Sequence, residues 1–248
     1  MIDPYFDEYC RLDPVSATLA GRAGFDELLT DYSPDGWAAR AALLEATLRS
    51  TSDAVHRERL AAELAYLRSG LASSLNIVAS PPMLIRTCVE QTSGDARRAR
   101  LLGVPDALSG YLRTLLDGGA RISRRQAEMV VGATRAWASG TYFGSTAEGS
   151  VAASAYADFA DALERDVLPA ARDEDGVGAA DYAVAARYFL GSDVDTEATR
   201  AWLGDRLDEL AIEISALVHE IEPGMAVRAV CERLDATDRV DAGEPLRA

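Results

Sequence analysis

The stretch TEATRAWLGDRLDELAIEISALVHEIE, residues Thr196–Glu222, decides the fold class. Its Leu203, Leu207, Leu210, Ile214, Leu217 and Ile221 recur at alternating steps of four and three, the spacing of one helical face. At about 100° per residue they collect into a single narrow seam, which reads as the core-facing side of a long helix. Pro223-Gly224 then stops it, because proline cannot continue a helix and glycine suits the turn beyond one.

The end of this stretch also holds His219-Glu220, the opening of the H-E-x-x-H motif of zinc peptidases. Such a site needs a second histidine one turn later, on the same face, and that position is Pro223. On the helical wheel His219 lies roughly 160° from the seam. Asp205 and Asp208 share its face, and Glu209, Glu213 and Glu220 flank it. The other histidine, His56, belongs to a different helix. His219 therefore reads as the last turn of an acidic, solvated helix, where the helix dipole favours a positive charge. No metal ligand and no cofactor is assigned to this chain.

The same helical reading extends outward. Ser33-Pro34 caps and opens a helix through about Ser50, and Ser52 caps a second carrying Leu60, Leu64, Leu67 and Leu71. LNIVASPPMLIR, from Leu75, is the one stretch with strand character. Pro105, Leu108, Leu112, Leu115 and Leu116 mark a helix stopped by Gly118-Gly119. Ser123 and Gln126 form a capping box that opens a helix through about Trp137. SGTYFGSTAEGS reads as a loop, followed by helices over Val151–Ala171, Ala179–Leu190 and Thr196–Glu222. The expected fold is all-α, an antiparallel bundle of helical hairpins in one domain spanning residues 1–248.

Composition narrows the function. The net charge of −15 excludes nucleic acid as a partner, since phosphate binding needs surplus basic residues. All 25 basic side chains are arginine, so the P-loop lysine, the Schiff-base lysine and any lysine general base are absent. Arginine without lysine, beside abundant alanine and glycine, fits a GC-rich, actinobacterial-type genome. No apolar run approaches the ~20 residues that span a bilayer, so no membrane partner is expected. The acidic N-terminus is not a targeting segment, and Cys10, Cys88 and Cys231 lack metal or disulfide spacing, which points to a cytoplasmic, reduced chain. The serine of YFGSTAEG stands outside G-x-S-x-G, and no Glu-x-x-His pair suggests a di-metal bundle.

Two arginine clusters remain. DARRAR contains Arg97, Arg98 and Arg100, and ARISRRQ contains Arg121, Arg124 and Arg125. The second lies at a capped helix start, where backbone N–H groups favour anions. With Tyr142 of the following loop it is the candidate site for an anionic small molecule or peptide. The alternative is pairing with the 40 acidic side chains of this chain, and for Tyr142 and Phe143 a role as core plugs.

Three stretches carry a family resemblance. DPVSATLAGRAGFDELLTDYSPDGWAAR, from Asp13, looks like the start of the bacterial domain-of-unknown-function 885 proteins. YLRTLLDGGARISRRQAEMVV, from Tyr111, resembles that family's helix, glycine turn and arginine-containing helix start. DGVGAADYAVAARYFLGSDVDTEATRAWLGDRLDELAIEISALVHEIEPG, from Asp175, resembles its G-x-x-x-Y, F-L-G and W-G-x-x-E-L elements, although here the last reads W-L-G-D-R-L-D-E-L. The resemblance implies an all-helical, zinc-peptidase-like fold and covers the N-terminal half of the family. The family's H-E-G-x-P-G-H-H metal motif lies downstream and has no counterpart here, so no zinc ligand carries over. The expectation is a metal-free half that lends a substrate-binding wall to a two-part metallohydrolase, with a second polypeptide supplying zinc. The alternatives are a stand-alone small-molecule-binding protein or metal-independent enzyme of a biosynthetic pathway, and a degenerate scaffold or regulatory remnant.

Overall fold

The computed structural model describes residues 4–117 and 122–237. Among them there is no strand, and the all-α expectation holds. The chain divides into two compact units, Met1–Asp193 and Val194–Ala248.

The first unit opens with α1 (Pro4–Leu12), α2 (Pro14–Leu19), α3 (Pro34–Ser50) and α4 (Ala54–Arg68). It continues through α5 (Pro81–Glu90), α6 (Gly94–Leu116), α7 (Arg124–Ser139), α8 (Ala147–Ala162) and α9 (Ala179–Leu190). Short polar side chains start these helices by taking up amide hydrogens left free at the first turn. Ser33 Oγ accepts from Gly36 N at 3.2 Å, Asp53 Oδ1 from His56 N at 2.7 Å, and Thr146 Oγ1 from Gly149 N at 3.1 Å. The cap of α4 is thus Asp53 and not Ser52, because the carboxylate one residue later reaches the free amide. At α7 Ser123 Oγ accepts from Gln126 N at 3.4 Å, the serine half of a capping box.

Three other boundaries differ from the sequence reading. The stretch with strand character turns into α5 at Pro81, where two prolines stand at the tolerant first turn. α6 starts at Gly94 and runs through Pro105, although an interior proline removes a backbone hydrogen bond. Its flanks hold it, since Leu101, Val104, Ala107 and Leu108 are all buried. α8 begins at Ala147, inside the stretch that reads as loop, once Thr146 supplies a cap. It ends in a wider helical turn over Leu163–Val167 and a tight one over Leu168–Ala170. The Gly118-Gly119 stop lies outside the described residues.

The main core gathers where α6 and α7 pack on α8, with Tyr111, Val130, Tyr156 and Phe159 among its buried members. A smaller cluster of Leu44, Leu60 and Leu64 sits between α3 and α4, and α9 packs on α4. Gly191, in the left-handed region at φ 70°, ends α9.

One side chain ties this unit together. Arg100 of α6 is fully buried, with no carboxylate paired to it among the described residues. Its Nε donates to Leu28 O at 3.0 Å and its Nη1 to Cys88 O at 3.2 Å. Its Nη2 donates to Thr18 Oγ1 at 2.6 Å and Phe25 O at 3.2 Å. Four points of α2, α5 and the loop after α2 are thereby fixed to α6.

The second unit contains α10 (Thr196–Ile221) and α11 (Val227–Thr237), which pack on each other. Asp195 caps α10 by accepting from Glu197 N at 3.1 Å and Ala198 N at 3.0 Å. Val230 of α11 is buried, but the seam of α10 is exposed, from 36% at Leu210 to 66% at Leu207. The spacing that reads as a core face is therefore a helical stripe that α11 leaves uncovered.

Arg100→Met is expected to leave three carbonyls and a hydroxyl without their donor, at about 1–3 kcal/mol each. We expect a stability loss of at least ~4 kcal/mol, read from the shift in the urea midpoint, and a smaller loss for Arg100→Lys, which keeps the charge. A shift below ~1 kcal/mol for Arg100→Met would contradict this account.

Candidate functional site

Among the described residues, the arginines singled out by sequence bond or pair with groups of the protein itself. At the start of α7, Arg124 Nε reaches Asp173 Oδ1 at 2.7 Å and Arg125 Nη1 reaches Asp175 Oδ2 at 3.1 Å. Arg124 N also donates to Arg172 O at 2.8 Å, so the segment after α8 lies along this helix end. A hydrogen bond from Ser123, together with Arg125, holds the Asp175 carboxyl below its usual range. Arg121 lies outside the described residues. In the first cluster Arg97 donates to Val89 O at 2.7 Å, Arg98 pairs with Glu148 at 2.7 Å, and Arg100 is the buried tie described above.

Tyr142 packs 6.1 Å from the Trp137 ring and 5.8 Å from Phe143, with the Arg86 guanidinium 5.0 Å over its own ring. A hydrogen bond to Glu90 raises its phenol. Phe143 is buried in the core, so of the two readings of this residue the plug is the one observed.

A different set of residues forms a cavity, and it is assembled from the first unit alone. A half-open cavity of about 220 Å³ lies between α1, α2, α3, α4, α5 and α9 and the loops before α3 and α5. Its charged floor comes from α3, where Trp37, Arg40 and Leu44 follow one another at helical spacing. That places an arginine on an inward face, and Arg40 is only 5% exposed. Its guanidinium stacks on the Trp37 ring at 3.8 Å and lies 5.4 Å from that of Tyr32. Nη2 donates to Asp31 O at 3.2 Å, and Nη1 stands 3.7 Å from Asp13 Oδ2, an ion pair too long for a hydrogen bond.

Asp13 is held elsewhere. As the cap of α2 its Oδ1 accepts from Ser16 N at 3.1 Å and Thr30 Oγ1 at 2.5 Å, while Oδ2 accepts from Ser16 Oγ at 2.8 Å. Across the cavity α4 presents Glu63 and Tyr66, and α9 presents Tyr188 and Phe189. Tyr66 and Tyr188 stack face to face at 4.4 Å, Phe189 meets both edge-on, and Arg59 caps the outer side of Tyr188 at 4.4 Å.

Burial sets the protonation of this cavity. It raises the Glu63 carboxyl, an effect that Asp13 reinforces and Arg59 and Arg40 oppose. The phenols of Tyr9 and Tyr32 are raised first by burial and then by the Asp13 charge. The site thus holds one fixed ion pair, one carboxyl biased towards its neutral form, and un-ionised phenols. Sequence reasoning passed it over because its members are spread from residue 9 to residue 189. The one local signal is Arg40 on the same helical face as Trp37 and Leu44.

The model of the DUF885 family, described as "Bacterial protein of unknown function", matches residues 14–246. The chain belongs to this family. No curated protein matches it. The DUF885 match includes every cavity residue except Tyr9 and Asp13. Among the described residues no three His, Cys, Asp or Glu side chains cluster to hold a metal ion. His56 packs edge-on against Tyr5 at 5.5 Å, and His219 is exposed on α10. Among the described residues, no helix of this DUF885 chain is long and apolar enough to cross a membrane.

Two outcomes follow from the cavity's electrostatics. Arg40→Met leaves the buried Asp13 charge unopposed and is expected to cost about 3–5 kcal/mol. Adding Asp13→Asn, which keeps a capping oxygen, should recover part of that loss in urea titrations; a fully additive pair would refute the coupling. Glu63 binds its proton more tightly folded than unfolded, so its contribution is full below the ordinary range near ~4.3 and fades as pH rises through the raised folded value. Glu63→Gln should therefore lose less Tm than the parent protein between pH 4 and pH 8, and identical slopes would show that the carboxyl is not perturbed.

Proposed function

We propose that this DUF885 protein binds a compact small molecule in the cavity between Arg40, Asp13 and Glu63. The observation that carries the reading is a charged pair kept out of water on the floor of an aromatic-walled hollow. A buried ion pair adds little to stability compared with apolar packing of the same volume. Where one sits in a cavity beside a perturbed carboxyl, binding or catalysis is the usual return on it. The volume is below the ~300–1,000 Å³ of sites for drug-sized ligands, so the ligand is small. The protein would be a stand-alone helical binding protein, or a metal-independent enzyme of a biosynthetic pathway with Glu63 as its proton carrier.

The exposed stripe on α10 favours a second reading, in which the same cavity is the substrate-binding wall of a two-part hydrolase. A separate polypeptide with a zinc-binding half would then cover Leu203, Leu207, Leu210, Ile214, Leu217 and Ile221. Purification from the native source with metal analysis separates the two: a zinc-containing companion supports the second reading, and a metal-free chain that binds its ligand alone rejects it.

The cavity itself is tested by ligand-observed NMR with a library of compact acids, amines and neutral aromatics. Hits are expected to bind the parent protein and to be lost in Ala72→Leu, which puts an isobutyl group where a methyl lines the cavity. No hits, or hits indifferent to Ala72→Leu, would overturn the proposal.

A further inference from the structure

Glu63 lines the cavity from α4 without a counter-charge, and the inference drawn from it rests on the reading that the cavity is a ligand site. Among the described residues its carboxylate meets other charges only at a distance, with no hydrogen bond and no ion pair. Neither of its oxygens is sealed inside the protein. The carboxylate stands towards the hollow, since its charge acts on the phenols of Tyr9 and Tyr188, which line it from α1 and α9.

The arginines nearby are otherwise engaged. Arg59 lies four positions before Glu63 on α4, the spacing at which a helix pairs opposite charges. Its guanidinium goes to α9 instead, 4.4 Å over the Tyr188 ring, with Nη1 donating to Tyr188 O at 2.6 Å. Arg40 stacks on Trp37, donates to Asp31 O and pairs with Asp13. The cavity lining thus carries two carboxylates to one guanidinium, and the unbalanced charge is that of Glu63.

We infer that the cavity takes a compact protonated amine, its ammonium against the Glu63 carboxylate and its apolar body against Leu67, Ala72, Ala79 and Leu84. Charge selects the class. One unopposed negative group is met by one positive group, whereas an anion enters a lining that is already negative. A second positive charge on the ligand would face Arg40, which favours a monoamine over a diamine. The aromatic lining suits a cation as well, because ring faces attract positive charge. The protein uses its own rings in this way, with Arg40 over Trp37 and Arg59 over Tyr188. Burial raises the Glu63 carboxyl, a cost to its charged form that an adjacent ammonium offsets.

Titration calorimetry with the full chain tests this, using benzylamine, phenethylamine, benzyl alcohol and benzoate as probes. The tighter of the two amines should bind at least ~10-fold more tightly than benzyl alcohol, which lacks the charge, and than benzoate, which reverses it. Glu63→Gln keeps the shape of the side chain and removes its charge. It should weaken that amine roughly 10–100-fold while leaving benzyl alcohol within about 2-fold. Ala72→Leu must abolish amine binding too. Binding that Ala72→Leu leaves intact is attraction to the surface of a chain of net charge −15, and it overturns the inference. If Glu63→Gln does not fold, the ranking of probes on the parent protein and the Ala72→Leu result decide. No amine binding, equal or tighter binding of benzyl alcohol or benzoate, or an unchanged amine affinity in folded Glu63→Gln overturns the inference. If it is overturned while other library compounds bind in an Ala72→Leu-sensitive way, the amine assignment falls and the cavity reading stands. If nothing in the library binds, both fall.

Discussion

A buried guanidinium must be surrounded by acceptors, and Arg100 meets that demand by gathering three carbonyls and a hydroxyl from α2, α5 and the loop after α2. The same face of α6 repeats the device. Tyr111 Oη donates to Ser73 O at 2.9 Å and Thr114 Oγ1 to Tyr32 O at 2.7 Å, and from α8 Tyr156 Oη donates to Pro82 O at 2.6 Å. Loops that make few backbone bonds of their own are thus fixed by side-chain donors projecting from helices. The loop between α2 and α3 is held at both ends in this way, by Arg100 near Phe25 and Leu28 and by Thr114 at Tyr32. It is also the loop that sends Thr30 to Asp13 and the Asp31 carbonyl to Arg40. The charged floor of the cavity therefore inherits its geometry from a contact deep in the neighbouring core.

Asp13 shows how closely architecture and site are joined. It starts α2 as an ordinary helix cap, and it is also the carboxylate that pairs with Arg40. The cap holds its oxygens, and it faces the arginine at 3.7 Å without a direct hydrogen bond. A carboxylate free to rotate would have closed a direct bridge. The helix start and the ion pair thus have a common origin in one turn of helix.

Local signals carried much of the fold. Periodicity and caps were enough for α3, α9 and α10, whose limits fall where Ser33-Pro34, Gly191 and Asp195 place them. Where tertiary packing overrides local preference, the reading failed. Pro105 looked like a helix start because proline breaks isolated helices, but its buried neighbours keep α6 continuous. A hydrophobic seam implies a partner without identifying one, which is why the stripe on α10 read as core yet stands exposed. Neighbouring arginines drew attention to Arg124 and Arg125, whereas their partners Asp173 and Asp175 lie about fifty positions on, beyond any local rule. The cavity was hidden for the same reason. Tyr9, Asp13, Arg40, Glu63 and Tyr188 share no motif, and only the packing of five helices brings them together.

The wall opposite the charged floor is built differently from the floor itself. Tyr188 and Phe189 ride on α9, which meets its unit chiefly through α4, by the stack on Tyr66, the Arg59 bond to the Tyr188 carbonyl and the Arg187–Glu58 pair. None of these contacts passes through the core around α6 and α8. Such a wall can be exchanged without disturbing the charged floor. Relatives could then keep one floor while varying the shape of the space above it, much as a tool keeps its handle and changes its bit.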